Sequence, residues 1–177
     1  FSLDRVNKAP ASFDPQKLSA FQQQYMLRLP VARRVERVLP YLETVKLVDS
    51  PPSDAEERYV QQVVAAAGER IAMAGDILDF DDFFRSAEEL AYDEAAVEKR
   101  FRQAPQSVRL LREFRPLLTD VKPFDAPTLE ALLKDFVDRQ EVKLTAIIHT
   151  LRVAVTGKAV GFGMFETLEI LGRQRSL

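Results

Sequence analysis

Apolar positions along this chain recur at three- and four-residue spacing almost from end to end, the signature of helices with one buried face. Asp14 followed by Pro15 is a favourable N-cap and first helical position, and Leu18, Phe21, Tyr25 and Met26 continue a stripe to about Arg28. Val31, Val35, Val38, Leu42 and Val45 form a second stripe, with Pro40 inside it and expected to kink or split that helix. The tract SPPS, Ser50 to Ser53, stops it. Ser53 with Glu56 reads as a capping box, and Tyr59, Val60, Val63, Val64, Ala67 and Ile71 predict a third helix to about Ala74.

Asp76 to Phe84 is acidic and aromatic, and Leu78, Phe80, Phe83 and Phe84 are expected to enter the core from a short helix. Asp93 caps a helix from Glu94 to Arg102. The next runs from Gln106 to about Leu118, with Val108, Leu111 and Phe114 or Leu118 inward and Arg109, Arg112 and Arg115 on a separate stripe. VKPFDAP, Val121 to Pro127, holds two prolines and is the best linker candidate, so a boundary is placed there between segments 1–120 and 121–177. Leu129, Leu132, Leu133, Phe136 and Val137 make one amphipathic helix beyond it. No stretch alternates as a sheet requires, and the fold class is all-α.

The segment from Lys143 to Arg173 joins two periodic helices through a glycine-punctuated elbow. Ile147, Ile148, Leu151 and Val155 share one face of the first helix, and Met164, Phe165, Leu168 and Leu171 share one face of the second. Between them the elbow, residues 156–164, carries Thr156, Gly157, Lys158, Gly161, Phe162 and Gly163. Three of the protein's six glycines lie there, so the backbone is free to take positive φ angles and to be approached closely. Phe162 has no core-facing period of its own. It reads either as an exposed aromatic that stacks on an unpaired base or as a local hydrophobic plug.

Composition narrows the chemistry. There are no cysteines, which excludes disulfides, thiolate metal sites and cysteine nucleophiles and fits a reducing, cytoplasmic compartment. Lys and Arg number 25 against 27 Asp and Glu, so any polyanion must be met by a local basic patch. No apolar run approaches the roughly 20 residues of a membrane helix, and the N-terminus lacks the regions of a signal peptide, so no membrane partner is expected. At 177 residues, a chain that buries roughly 70% of its unfolded surface needs no staples. Its first residue is Phe, from which it is expected to be the tail of a longer protein.

No phosphate loop, nucleophile elbow, zinc-protease helix or dinucleotide fingerprint is present. His149, the single histidine, follows two isoleucines without a nearby carboxylate in sequence, which favours packing over base catalysis. Asp76, Asp79, Asp81 and Asp82 lack the spacing of a calcium loop and read as a solvated helix end, so no metal is assigned. Arg33, Arg34 and Arg37, Lys99, Arg100 and Arg102, and Arg109, Arg112 and Arg115 are surface cations by default, paired with Glu36, Glu98 or Glu113; together they allow phosphate contacts.

Against this background LRVAVTGKAVGFGMFETLEILG, Leu151 to Gly172, resembles the C-terminal anticodon-binding region of bacterial-type glutamyl-tRNA synthetase, a class I aminoacyl-tRNA synthetase. There a helix ending in Leu-Arg-x-Ala-x-Thr-Gly is followed by a bend, Leu-Phe-Glu and a Leu-Leu-Gly helix. FSLDRVNKAPASFDPQKL, Phe1 to Leu18, is similar to the stretch after the catalytic core in that family, and GERIAMAGDI fits between them.

The resemblance implies a helical bundle, segment 1–120, followed by a smaller helical cage, segment 121–177, which together recognise the anticodon of tRNA(Glu). It implies that ATP and Mg belong to a catalytic part upstream, that this chain has no cofactor or catalytic residues, and that it is inactive alone and monomeric. An arginine inspecting the third anticodon base, cytosine in tRNA(Glu) against guanine in tRNA(Gln), matches Arg70. Elbow contacts to the other anticodon bases match Gly161, Phe162 and Met164, although Gly161-Phe162 replaces what is often a polar residue and proline. Lys158, Arg109 and Arg112 are candidate phosphate contacts. The competing expectation is a helical protein-interaction module of the same descent that binds no tRNA.

Overall fold

The computed structural model describes residues 14–177, so the N-terminal part of the resembling segment Phe1 to Leu18 lies outside the described residues. Eight α-helices carry the described chain, with short 3-10 turns between them and no strand. Helix α1 (Pro15–Arg28) opens on Asp14, whose carboxylate accepts from the Gln16 and Lys17 amides. Helix α2 (Val31–Thr44) buries Val35, Val38 and Leu42. It runs unbroken through Pro40, against the expected split. The proline is exposed, its carbonyl accepts a 2.6 Å bond from the Thr44 hydroxyl, and only one helical amide is forfeited.

Helix α3 (Asp54–Ala67) starts at the Ser53–Glu56 capping box, with Glu56 accepting from the Ser53 amide at 2.8 Å. It stops at Gly68, whose φ of +56° reverses the backbone, rather than continuing to Ala74. Ile71 is fully buried from beyond that turn, which is why the apolar period carries on past the helix end. Ala74–Phe83 is a 3-10 segment that delivers Ile77 and Phe83 to the core and packs Leu78, Phe80 and Phe84 against it.

Helix α4 (Glu94–Val97), capped by Asp93, widens into a π turn over Glu98–Arg102. Helix α5 (Pro105–Asp120) buries Leu110, Phe114 and Leu118 and leaves Arg109, Arg112 and Arg115 exposed. Helix α6 (Ala126–Arg139) follows the Val121–Asp125 connector and packs on both α5 and α8. Helix α7 (Ile148–Thr156) is nearly surrounded, with Thr150, Leu151, Val153, Val155 and Thr156 all buried. Helix α8 (Met164–Ser176) bends at Gly172, where φ is +72°.

One apolar cluster reaches from Met26 to Leu171, so residues on both sides of the connector share a core. The bend in α8 aims Arg175 back across the molecule. Its guanidinium donates to the carbonyls of Phe83 (2.5 Å), Arg85 (2.7 Å) and Asp82 (2.8 Å) and to the Tyr59 hydroxyl (2.9 Å). The 3-10 segment is thereby anchored from behind, while its front meets the elbow. Among the described residues, no helix is long and apolar enough to cross a membrane.

Candidate functional site

The elbow after α7 begins at Gly157, which closes the helix in the left-handed conformation at φ +72° and returns its amide to the Val153 carbonyl at 2.9 Å. Its own carbonyl accepts from the Asp93 amide at 2.9 Å. A Cβ here would fall 2.1 Å from the Ala91 carbonyl oxygen, so the close approach this glycine permits is made by the chain itself. Gly161 differs: its φ is not positive, and a Cβ would meet the Arg152 guanidinium at 3.1 Å. The missing side chain leaves room for a cation.

Phe162 is the plug and not the exposed platform. It is 2% exposed, stacked on Phe83 with centroids 4.7 Å apart and planes at 23°, and tilted on Phe80 at 4.8 Å. The energetic reason is direct: three aromatic faces leave water together, and offset contacts of this kind add to the burial itself. Met164 is likewise buried, at 3% exposure, inside the apolar cluster and away from the cavity wall. Both side chains are packed in the core; the exposed apolar tip of the elbow is Val160, 79% accessible.

Lys158 departs from its expected role too. Its Nζ donates to the Asp79 carbonyl (2.6 Å) and to the carboxylates of Asp82 (2.7 Å) and Asp81 (2.8 Å), so its charge is spent within the fold. Burial works against both ions. At Asp82 it outweighs Lys158 and holds the carboxyl above the usual aspartate range, whereas at Lys158 the two carboxylates outweigh burial and hold the proton more tightly. Nζ lies between two carboxylates, and that geometry favours the ionised form. Asp81 and Asp82, with the Asp79 carbonyl, are thus not a solvated end but the anchor of the elbow, while Asp76 caps its own turn; among the described residues no cluster of His, Asp and Glu is placed to hold a metal.

Arg70 ends the 3-10 turn Gly68–Arg70 and is exposed. The turn is held from two sides: Arg34, buried on α2, donates to the Gly68 carbonyl at 2.6 Å, and Gln23 of α1 donates to that of Glu69 at 3.4 Å. Arg34 is therefore a structural guanidinium and not a surface cation. Asp76, a possible partner for Arg70, spends one carboxylate oxygen on the Ala72 and Met73 amides at 2.9 and 2.8 Å. No carboxylate lies within 4.0 Å of Arg70 among the described residues.

These pieces meet in one cavity of about 600 Å³ whose wall includes Arg70, His149, Arg152, Lys158, Gly161 and Phe162. The unforeseen member is Arg152. It is half-buried on α7 and its Nη1 has no hydrogen-bond partner; burial, and next the charge of Arg70, pull its pKa below the usual arginine range, with Glu166 opposing. Two guanidiniums lining one open cavity, one exposed and one half-buried with an unsatisfied donor, can receive an anion or a hydrogen-bond acceptor. The sequence signal was present, since Arg152 stands inside the Leu-Arg-x-Ala-x-Thr-Gly phrase, but nothing local distinguishes it from a surface arginine. Arg109 and Arg112 are not brought to this cavity. Arg109 pairs with Glu113 at 3.1 Å, and both project from α5 elsewhere.

Comparison with known proteins defines the class. The family model described as anticodon binding domain matches residues 33–177, and the chain belongs to that family. Similar proteins within it include the glutamate–tRNA ligase of Pelodictyon phaeoclathratiforme, 35% identical over all of this chain and 36% of that protein, and that of Chlorobaculum parvum, 37% identical over all of this chain and 35% of that protein. The crystal structure of a glutamate tRNA ligase from Elizabethkingia meningosepticum superposes on 99% of this chain and 33% of its own with a TM-score of 0.83; at 21% identity it speaks for the fold. The chain spans about a third of the length of the relatives it matches.

Proposed function

We propose that this chain reads the anticodon of tRNA(Glu) as the C-terminal part of a glutamyl-tRNA synthetase, acting as a single copy in the cytoplasm, with ATP, Mg and the ligation chemistry belonging to a catalytic part outside it. The observation that carries the reading is the meeting of Arg70 and the elbow. Segment 1–120 supplies one wall of the cavity and segment 121–177 the other, which also gives the proposed division at the Val121–Pro127 connector a purpose.

The chemistry fits a pyrimidine that has been turned out of its loop. Two guanidinium N–H groups of Arg70 find two acceptors, O2 and N3, on the edge of cytosine. Guanine opposes them with donors at N1 and N2, leaving donors facing donors. Arg152 supplies a second cation in the same recess for a base carbonyl or a phosphate. The elbow contributes through backbone groups and Val160 at its rim, since Phe162 and Met164 serve to hold its shape. Sequence-specific recognition of single-stranded loops works in this way, by edges read in a shaped pocket.

The test is a titration of the chain with a tRNA(Glu) anticodon stem-loop across a range of salt. The expected result is binding that weakens steeply with ionic strength, as phosphate contacts require. A chain shown to be folded by circular dichroism that failed to bind at low salt would favour the protein-interaction module instead.

A further inference from the structure

The cations of the cavity do not end at its rim. The π turn Glu98–Arg102 packs on α7, and the Thr150 hydroxyl donates to the Arg100 carbonyl at 3.2 Å, which fixes the turn beside the exposed His149. Within that turn Arg102 is drawn back onto Glu94 (2.6 Å) and Glu98 (3.1 Å). Lys99 and Arg100 are not: among the described residues no carboxylate lies within 4.0 Å of either. Burial and then the charges of Arg100, Arg152 and Lys99 together keep the His149 imidazole below its usual pKa. Arg70, Arg152 and His149 line the cavity, and the π turn that carries Lys99 and Arg100 packs on the helix that supplies Arg152 and His149, so four cations stand on adjoining elements, with Glu166 opposing Arg152.

Cations grouped about a single opposing carboxylate repel one another, and a polyanion laid across them relieves the repulsion. We infer that the RNA strand leaving the cavity crosses the π turn, with consecutive backbone phosphates held by Arg100 and Lys99. This rests on the anticodon reading above and adds the direction in which the strand departs. The contacts are to phosphate and carry no base information. The π turn has a role here, because its extra residue separates Arg102, which pairs with Glu94 and Glu98, from two neighbours that no carboxylate of the described residues reaches.

The test is a Lys99→Gln/Arg100→Gln variant of the chain, checked for folding by circular dichroism and titrated with stem-loops carrying cytosine or guanine as the third anticodon base. The expected result is a several-fold loss of affinity that is equal for both RNAs, with the salt slope reduced by about 1.4, the amount for two single-strand phosphate contacts. Unchanged affinity and slope in the variant, beside normal binding by the parent, would overturn the track and leave the anticodon reading intact. Loss confined to one of the two RNAs would also overturn it, since that marks a base contact. Failure of the parent chain to bind either RNA would overturn the anticodon reading and the track with it.

Discussion

The ring of Phe162 lies on the ring of Phe83, 4.7 Å between centroids, and this contact joins the glycine elbow to the 3-10 segment in the other half of the chain. It turns a bend that looks flexible in sequence into a fixed ledge. Phe162 to Ala should cost about 3–5 kcal/mol of stability, the range for emptying a buried aromatic site. Phe162→Leu should fold with a smaller loss and keep the RNA affinity of the parent, because the ring faces the core. A loss of about tenfold or more in the leucine variant, the scale of a missing base–aromatic stack of about 1–3 kcal/mol, would mean that the ring reaches the RNA after all.

Lys158 is the second tie between elbow and 3-10 segment. Lys158→Met strands the Asp82 carboxylate, whose residue is 4% exposed. A fully buried pair broken this way costs about 3–5 kcal/mol, and with the lysine side chain itself 33% exposed the expected cost is lower, about 1–3 kcal/mol. Thermal unfolding should show the loss, and adding Asp82→Asn should recover part of it by removing the stranded charge. A Lys158→Met variant that melted at the parent temperature but lost RNA binding would return Lys158 to the phosphate-contact role that its hydrogen bonds argue against.

Local rules read much of this molecule from sequence. The Ser53–Glu56 capping box, the stripes of α3 and α6 and the insertion of Phe83 all depend on neighbours within a few residues, and the structure places them as expected, whereas of the α1 stripe only Met26 is buried and Leu18, Phe21 and Tyr25 are exposed. What was not legible depends on distant partners. Phe162 had no period because Phe80 and Phe83, which bury it, come from another part of the chain. Lys158 passed for a surface cation because its carboxylates do as well. Arg34 and Arg152 differ from ordinary helix arginines only in what the fold packs around them, and the end of α3 at Gly68 was hidden because Ile71 continues the apolar spacing beyond it. The elbow was located correctly, but the reasons for its glycines were not: Gly157 makes way for Ala91 and Gly161 for Arg152.

Arg70 remains the position on which the account turns. It is exposed, free of carboxylate partners among the described residues, held on a turn braced by Arg34 and Gln23, and it shares a cavity with the elbow. The direct measurement is the ratio of affinities of the parent chain and an Arg70→Ala variant for anticodon stem-loops that differ only in cytosine or guanine at the third anticodon base. The account predicts that the parent prefers cytosine and that the variant loses most of that preference, about 1–3 kcal/mol for a bidentate contact, while keeping the salt-dependent part of binding. An Arg70→Ala chain that distinguishes the two loops as well as the parent does would contradict it.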